Sequence, residues 1–351
     1  MHYSEINTEV RRLISEGTVI PAHPLALNAD RSLDVAHQRA LTRYYIDAGA
    51  GGLAVGVHTT QFAVREVGLY RPVLELAAET AASWTKRPLA LVAGLVGPTQ
   101  QAIAEASIAR GIGYHTGLLS LAAMKQASED EIVAHCADVA REIPLVGFYL
   151  QPAVGGVILG ASFWRRFAEI DNVVAIKIAP FNRYRTLDVL RGVAGAGALD
   201  RITLYTGNDD HILLDLMLPF DLRDRGVTTR VHIKGGLLGH WSVWTASAIK
   251  QFEMCRAARG QQTLPADLLA LDARVTDCNS AFFDVANNFH GCIAGCHEIL
   301  RRQGLMQGIW CLDPAEGLSP GQLAEIDRVC REHADLSDDG FVAANLAKWL
   351  A

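Results

Sequence analysis

The chain lacks any apolar run of membrane-spanning length that is free of charges and breakers, so no transmembrane helix is expected. It also lacks a basic tract. Its 32 Lys and Arg stand against 38 Asp and Glu, a formal net charge of −6, which argues against nucleic acid or anionic membranes as partners. The opening Met1-His2-Tyr3-Ser4-Glu5 has neither the charged nor the apolar region of a leader peptide, and cytoplasmic residence is the expectation. No glycine-rich phosphate loop follows the first apolar segment, where Pro21-Ala22-His23-Pro24 stands instead. The seven cysteines are scattered and odd in number, so they read as reduced thiols rather than a disulfide framework. Cys292 and Cys296 share a helix face beside His290 and His297, but no second ligand pair at zinc-site spacing accompanies them. No metal and no cofactor are expected. No linker rich in Pro, Gly or Ser divides the 351 residues.

What is present is an alternation of strand-like and helix-like segments. Strand patterns fall at 19–27, 52–57, 89–96, 113–119, 145–151, 173–179, 202–207 and 228–233. Helical periods lie between them. Ser32 caps 34–48, Gly97-Pro98 precedes 99–110, and Ser128-Glu129-Asp130-Glu131 is a capping box opening 128–141. Shorter helical patterns cover 163–169 and 186–194. Eight strands, most followed by a helix, predict an α/β fold, a (β/α)8 TIM barrel over residues 1–240. After residue 241 the strands stop, and 241–259, 266–305 and 320–332 predict a C-terminal helical region packed on the barrel.

Lys177 stands out within that layout. It interrupts the apolar run Val173-Val174-Ala175-Ile176-Lys177-Ile178-Ala179, bounded by Asp171-Asn172 and Pro180. A lysine in a buried strand is costly unless it is used, and burial favours the neutral amine that attacks a carbonyl. The ordinary alternative is a buried stem with its tip in water. In a barrel the active site lies at the C-terminal strand ends. Those ends carry His58, Thr59, Thr60, His115, Tyr149, Gln151, Lys177 and Thr206-Gly207-Asn208-Asp209-Asp210. An amine, a phenol, hydroxyls and a carboxamide suit carbonyl chemistry through an imine. The lysine condenses with a keto group, and Tyr149 on the preceding strand shuttles protons. His58 and His115 are candidate substrate contacts, with structural histidines as the alternative. Asp209 or Asp210 reads as a helix N-cap.

The chain resembles the dihydrodipicolinate synthase / N-acetylneuraminate lyase family of class I aldolases. The resemblance rests on residues 24–34, Ala48-Gly49-Ala50-Gly51-Gly52-Leu53-Ala54-Val55-Gly56, Thr59-Thr60, Phe148-Tyr149-Leu150-Gln151-Pro152, Val174-Ala175-Ile176-Lys177 and Tyr205-Thr206-Gly207-Asn208-Asp209. The spacing of 28 positions from Tyr149 to Lys177 also agrees with the family's pattern. The resemblance implies a Schiff-base lyase, an aldolase or a related hydratase or dehydratase. It would act on a 2-oxo acid such as pyruvate, with an aldehyde as second substrate, and assemble as a homo-oligomer, dimer or tetramer. Carried over by position, Lys177 forms the imine, Tyr149 moves protons with help from Thr59 or Thr60, and Gly207 and Asn208 shape the far wall.

The departures are equally specific. The synthase branch's carboxylate-binding arginine has no counterpart in Ala153-Val154-Gly155-Gly156, and Gln61-Phe62 replaces the acidic residue after the threonines. Arg183 and Arg185 offer a substitute cation or are solvated loop residues. Residues 220–230 read as an insertion, and they and the unusual segment 235–241 fall near where the eighth βα loop is expected, reshaping the pocket. Two other functions therefore stay open: a barrel that binds a keto acid without turnover, or a metal-dependent lyase using His58, His115 and Asp209.

Overall fold

A computed structural model describes residues 1–224 and 226–351. Eight parallel strands form the barrel: β1 (Val19–Pro21), β2 (Gly52–Val55), β3 (Ala90–Leu95), β4 (Thr116–Leu119), β5 (Leu145–Leu150), β6 (Val173–Ala179), β7 (Thr203–Thr206) and β10 (Gly235–Leu238). Their hydrogen-bonded order is β1-β10-β7-β6-β5-β4-β3-β2. The seam between β1 and β2 closes through the Ala22–Ala54 bridge, with His23 N–H donating to Ala54 O at 2.8 Å and Gly51 N–H to Val19 O at 3.0 Å. This is the expected barrel.

The expected eighth strand at 228–233 needs correction. Val227–Val231 (β9) pairs antiparallel with Phe220–Asp224 (β8) in an exposed hairpin. Asp221 and Arg230 face one another on it, in a two-bond ion pair at 2.7 and 2.8 Å. The barrel position goes to the four-residue segment Gly235–Leu238, which pairs with β1 and β7. Threonine and valine at 227–231 carry the stronger strand propensity, but their side chains are mostly exposed, whereas the short Gly-Gly-Leu-Leu segment is fully buried.

Helix α1 (Thr8–Glu16) seals the N-terminal mouth. Its Val10 and Ile14 join Ile6 in the barrel's inner apolar cluster, and Tyr205 Oη donates to Ile14 O at 2.8 Å. The outer ring comprises α2 (Val35–Ala48), α3 (Tyr70–Trp84), α4 (Thr99–Ile112), α5 (Glu129–Ala140), α6 (Ala161–Ala168), α7 (Arg183–Gly195), α8 (Ile212–Met217) and α9 (Thr245–Ala258). The Ser128–Glu131 capping box forms as its sequence predicts. Helix α9 packs on α8 and α2 and completes the ring past residue 240.

Beyond it lie α10 (Ala266–Phe282), α11 (Cys292–Arg302), α12 (Gln322–Glu332) and α13 (Asp339–Leu350). Helix α13 returns to α2, where Trp349 is buried and its Nε1 donates to Asp47 Oδ2 at 2.9 Å. The patterns of α3 and α13 escape the sequence reading. Among the described residues, no helix is long and apolar enough to cross a membrane.

Candidate active site

The C-terminal strand ends open onto a cavity of about 80 Å³ with an open mouth. Strand alternation selects its floor. On β6 the inward positions are Ala175, Lys177 and Ala179, and on β5 they are Val146, Phe148 and Leu150. Lys177 lies in register with Phe148 on one side and Tyr205 on the other.

The Lys177 side chain is 8% exposed, and its Nζ lies 4.5 Å from the centroid of the Phe148 ring. No described residue hydrogen-bonds or ion-pairs with the amine. Burial holds the Lys177 ammonium below the usual lysine range, and the negative charge of Asp209 opposes that shift. The stem runs against Gly207. A Cβ added there would lie 2.7 Å from Lys177 Cε and 3.1 Å from its Cγ, so the lysine's path requires this glycine.

Asp209, two residues on, is the second charged group in the cavity wall. It does not cap a helix: α8 begins at Ile212 with His211 at its N-cap. Instead Asp209 Oδ1 accepts from His240 N–H at 3.3 Å, and Asn279 Nδ2 donates to the Asp209 carbonyl at 2.7 Å. Burial pushes its carboxyl up, with Lys177 pulling the other way.

The other residues singled out in the sequence divide into two groups. Thr59, Gly207 and His58 line the cavity with Lys177. Thr59 Oγ1 donates to Ala22 O at 2.7 Å and keeps its lone pairs. Burial, aided by the Lys177 charge, pushes His58 down to about 4, so its imidazole is neutral at physiological pH.

Thr60, Asn208, His115 and Tyr149 do not reach the cavity. Thr60 Oγ1 donates to His23 O and accepts from Gly56 and Val57 N–H, a closed structural set. Asn208 turns toward the helices, accepting from Phe181 N–H and donating to Asp215 and Thr186, so it ties two loops together behind the wall. His115 precedes β4 at the barrel's N-terminal end, where Nδ1 accepts from Leu91 N–H at 3.0 Å. The set His58, His115 and Asp209 is therefore not assembled.

Tyr149 is the most consequential difference. It follows Phe148 on β5, so alternation sends its side chain out of the barrel. There it packs on Trp164 at 5.1 Å between centroids, and its hydroxyl donates to Leu159 O at 3.0 Å and accepts from Leu159 N–H at 3.2 Å. Phe148 takes the inward place beside the lysine.

Arg183 and Arg185 stay outside as well. The first pairs with the buried Asp215 carboxylate and the second with Asp188 at 3.4 Å. Among the described residues, Lys177 is the single Lys or Arg in the lining.

The mouth is apolar and comes partly from the C-terminal helices. Phe283 at the end of α10, Phe289 in the following loop, and Cys292 and Ile293 of α11 face Phe181 after β6. Phe181 and Phe289 meet edge to face at 5.7 Å, and both hold left-handed backbone, φ 49° and 66°. Bulky residues rarely adopt that conformation, and it marks a conformation imposed by its surroundings. The sequence reading carries a largely helical pattern across 266–305 and so misses these lining residues. The available signal was the polar break Asp284-Val285-Ala286-Asn287-Asn288 ahead of Phe289.

Residues 16–223 match the Dihydrodipicolinate synthetase family. Solved structures share the fold. Dihydrodipicolinate synthase from Oceanobacillus iheyensis is 14% identical with a TM-score of 0.75, over 93% of this chain and 99% of that one. The chloride-inhibited synthase from Acinetobacter baumannii, complexed with pyruvate, is 17% identical with a TM-score of 0.73, over 91% and 98%. YagE of E. coli K12, a prophage protein in complex with pyruvate, is 17% identical with a TM-score of 0.73, over 90% and 98%. No curated protein matches the chain by sequence.

Proposed function

The chain belongs to the dihydrodipicolinate synthetase family, and on that premise we propose that it is a Schiff-base lyase acting on a 2-oxo acid, with pyruvate the first candidate. The observation that carries this reading is the Lys177 amine: buried, unpaired and inside the cavity at the C-terminal strand ends. Desolvation favours its neutral, nucleophilic form, and the resulting iminium is an electron sink for making or breaking the adjacent C–C bond. The A. baumannii and E. coli neighbours, both complexed with pyruvate, fit the same ligand class.

The loop after β2 supplies a candidate carboxylate seat. The backbone N–H groups of His58 and Thr59 donate to no acceptor among the described residues, and both residues line the cavity. Such donors suit the carboxylate of a 2-oxo acid without an arginine. The apolar mouth formed by Phe181, Phe283, Phe289 and Ile293 favours an aldehyde with an apolar substituent. We place the protein in the cytoplasm as a homo-oligomer by family analogy alone.

The outward Tyr149 favours one second reading, a barrel that forms the imine and holds the keto acid without turnover. Borohydride reduction with pyruvate separates wild type from Lys177→Ala. The proposal expects a reduced adduct that the substitution abolishes. An equal adduct in both proteins, or none in either, would refute it.

A further inference from the structure

We propose that Asp209 is the proton-transfer catalyst of this barrel, doing from β7 what the sequence assigns to a phenol on β5. The inference rests on the Schiff-base reading above and adds the identity of its acid–base group.

Imine chemistry needs such a group at two points. The neutral Lys177 amine adds to the keto carbon: a C–N bond forms and the carbonyl π pair moves to oxygen. The added nitrogen gives up a proton and the oxygen gains one, leaving a carbinolamine. Its hydroxyl must then receive a second proton to depart as water while the nitrogen lone pair closes the C=N bond. The product is an iminium. Next, a base removes a proton from the carbon beside the iminium. That C–H pair forms a C=C bond, and the C=N π pair returns to nitrogen, giving an enamine. A carboxylic acid that gives a proton in the first step is left as the carboxylate that takes one in the second, so one group serves both with no other reactant.

The cavity offers few groups able to do this. Tyr149 lies on the other face of its strand, with its hydroxyl held by Leu159. Thr59 donates to Ala22 O, and a threonine hydroxyl is too weak an acid to act alone. His58 is a neutral imidazole at physiological pH, a weak base whose remaining N–H is too weak an acid to protonate a leaving hydroxyl. Burial pushes the Cys292 thiol up to about 12, which leaves it protonated and a poor base.

Asp209 meets the requirements of position and freedom. It is 8% exposed and lines the same cavity as Lys177. Bonds from His240 N–H to Oδ1 and from Asn279 to the backbone carbonyl fix its orientation. Its Oδ2 receives no hydrogen bond from any described residue. No direct ion pair joins it to Lys177, so the amine does not occupy the carboxylate. The charged and titratable groups around it are Lys177 of β6, the adjacent Asp210, and Cys292 and Cys296 of α11. Lys177 supplies the one positive charge among them, which suits a group that alternates between acid and carboxylate. Burial raises the carboxyl toward neutrality, in keeping with that task.

The test needs no knowledge of the aldehyde. Wild type, Asp209→Asn and Tyr149→Phe are incubated with pyruvate in D2O, and exchange of the methyl protons is followed by NMR. Borohydride trapping of the same samples reports the imine and, in the variants, an intact site. We expect Asp209→Asn to form the Lys177 adduct more slowly but to the same final extent after long incubation, and to lose exchange by roughly 100-fold or more. Tyr149→Phe should stay within about threefold of wild type. If Asp209→Asn does not fold, Asp209→Ala with added formate replaces it, and formate should restore exchange. Exchange within a few-fold of wild type in the Asp209 variant overturns the proposal. So does loss of exchange in Tyr149→Phe with its adduct intact, or absence of exchange in a wild type that traps pyruvate. Absence of any adduct in wild type instead removes the Schiff-base reading on which the proposal stands.

Discussion

At the scale of single residues, the cavity is organised around the space a lysine stem needs. Gly207 provides it, since any Cβ there would sit 2.7 Å from Lys177 Cε. We expect Gly207→Ala to push the amine off its line and lower the yield of trapped pyruvate by about tenfold or more, because a misplacement near 1 Å costs that much in an oriented reaction. Stability should change by no more than about 1–3 kcal/mol, the usual cost of overpacking. Unchanged trapping with normal stability would show that the stem can take another path. Lys177 itself was legible from the sequence, because a charge inside a β-branched run bounded by Asp171-Asn172 and Pro180 has few uses. Asp209 was not. In sequence it stands between Asn208 and Asp210 ahead of a helix, which is also the composition of a cap. Only its place in the cavity lining, in the loop after β7, shows that it turns inward.

At the scale of elements, β5 shows why a correct strand can still give the wrong neighbour. Leu145–Leu150 is apolar throughout, so nothing in its pattern says which side chains face in. A register shift between Leu145 and Val146 then offsets β5 against β6 by one residue, and Phe148, not Tyr149, comes opposite Lys177. A spacing of 28 positions from tyrosine to lysine cannot reveal that shift.

The α10–α11 connection is the other element the site depends on. Asp284 pins it: the carboxylate accepts from Gly291 N–H at 2.9 Å, Asn287 Nδ2 at 2.6 Å and the Ser319 hydroxyl, with the side chain 3% exposed. Asp284→Ala should therefore cost about 3 kcal/mol of stability by leaving buried donors unpaired. It should also raise the pyruvate concentration needed for half-maximal trapping, since Phe289 would lose its support. A denaturant titration and a trapping curve check the two effects. A stability loss with no change in the trapping curve would separate this loop from the site.

At the scale of the whole molecule, the barrel was legible because alternating strand and helix patterns recur eight times. What the sequence obscured was closure. The eighth strand is four residues, Gly235–Leu238, and a hairpin with stronger strand propensity precedes it. The fold also buries an unusual set of imidazoles, which predicts acid sensitivity. His23, His58, His240 and His297 are each pushed down to about 4 by burial, and His115, His135 and His232 are lowered as well. Unfolded, each titrates near its ordinary value, so the unfolded chain binds more protons as pH falls from about 6.5 to about 4. Their contribution to stability is present above that range and lost across it. The buried carboxyls of Asp209, Asp210, Asp272, Glu316 and Asp338 are raised and act in the opposite sense, but Asp209 alone among them is raised far, against four imidazoles pushed down to about 4. The denaturant midpoint should fall steadily from pH 7 toward pH 4.5. A midpoint flat over that interval would contradict this balance.

The central claim is that one amine differs in kind from the rest. The chain has six lysines, of which Lys86, Lys125, Lys234, Lys250 and Lys348 are exposed and Lys177 alone is buried. The most direct test is to reduce the native protein with borohydride in the presence of pyruvate at neutral pH and map the adduct by peptide mass spectrometry. The account predicts modification of Lys177 with the five exposed lysines spared. An adduct spread over the exposed lysines, or a Lys177 peptide that stays unmodified, would contradict it.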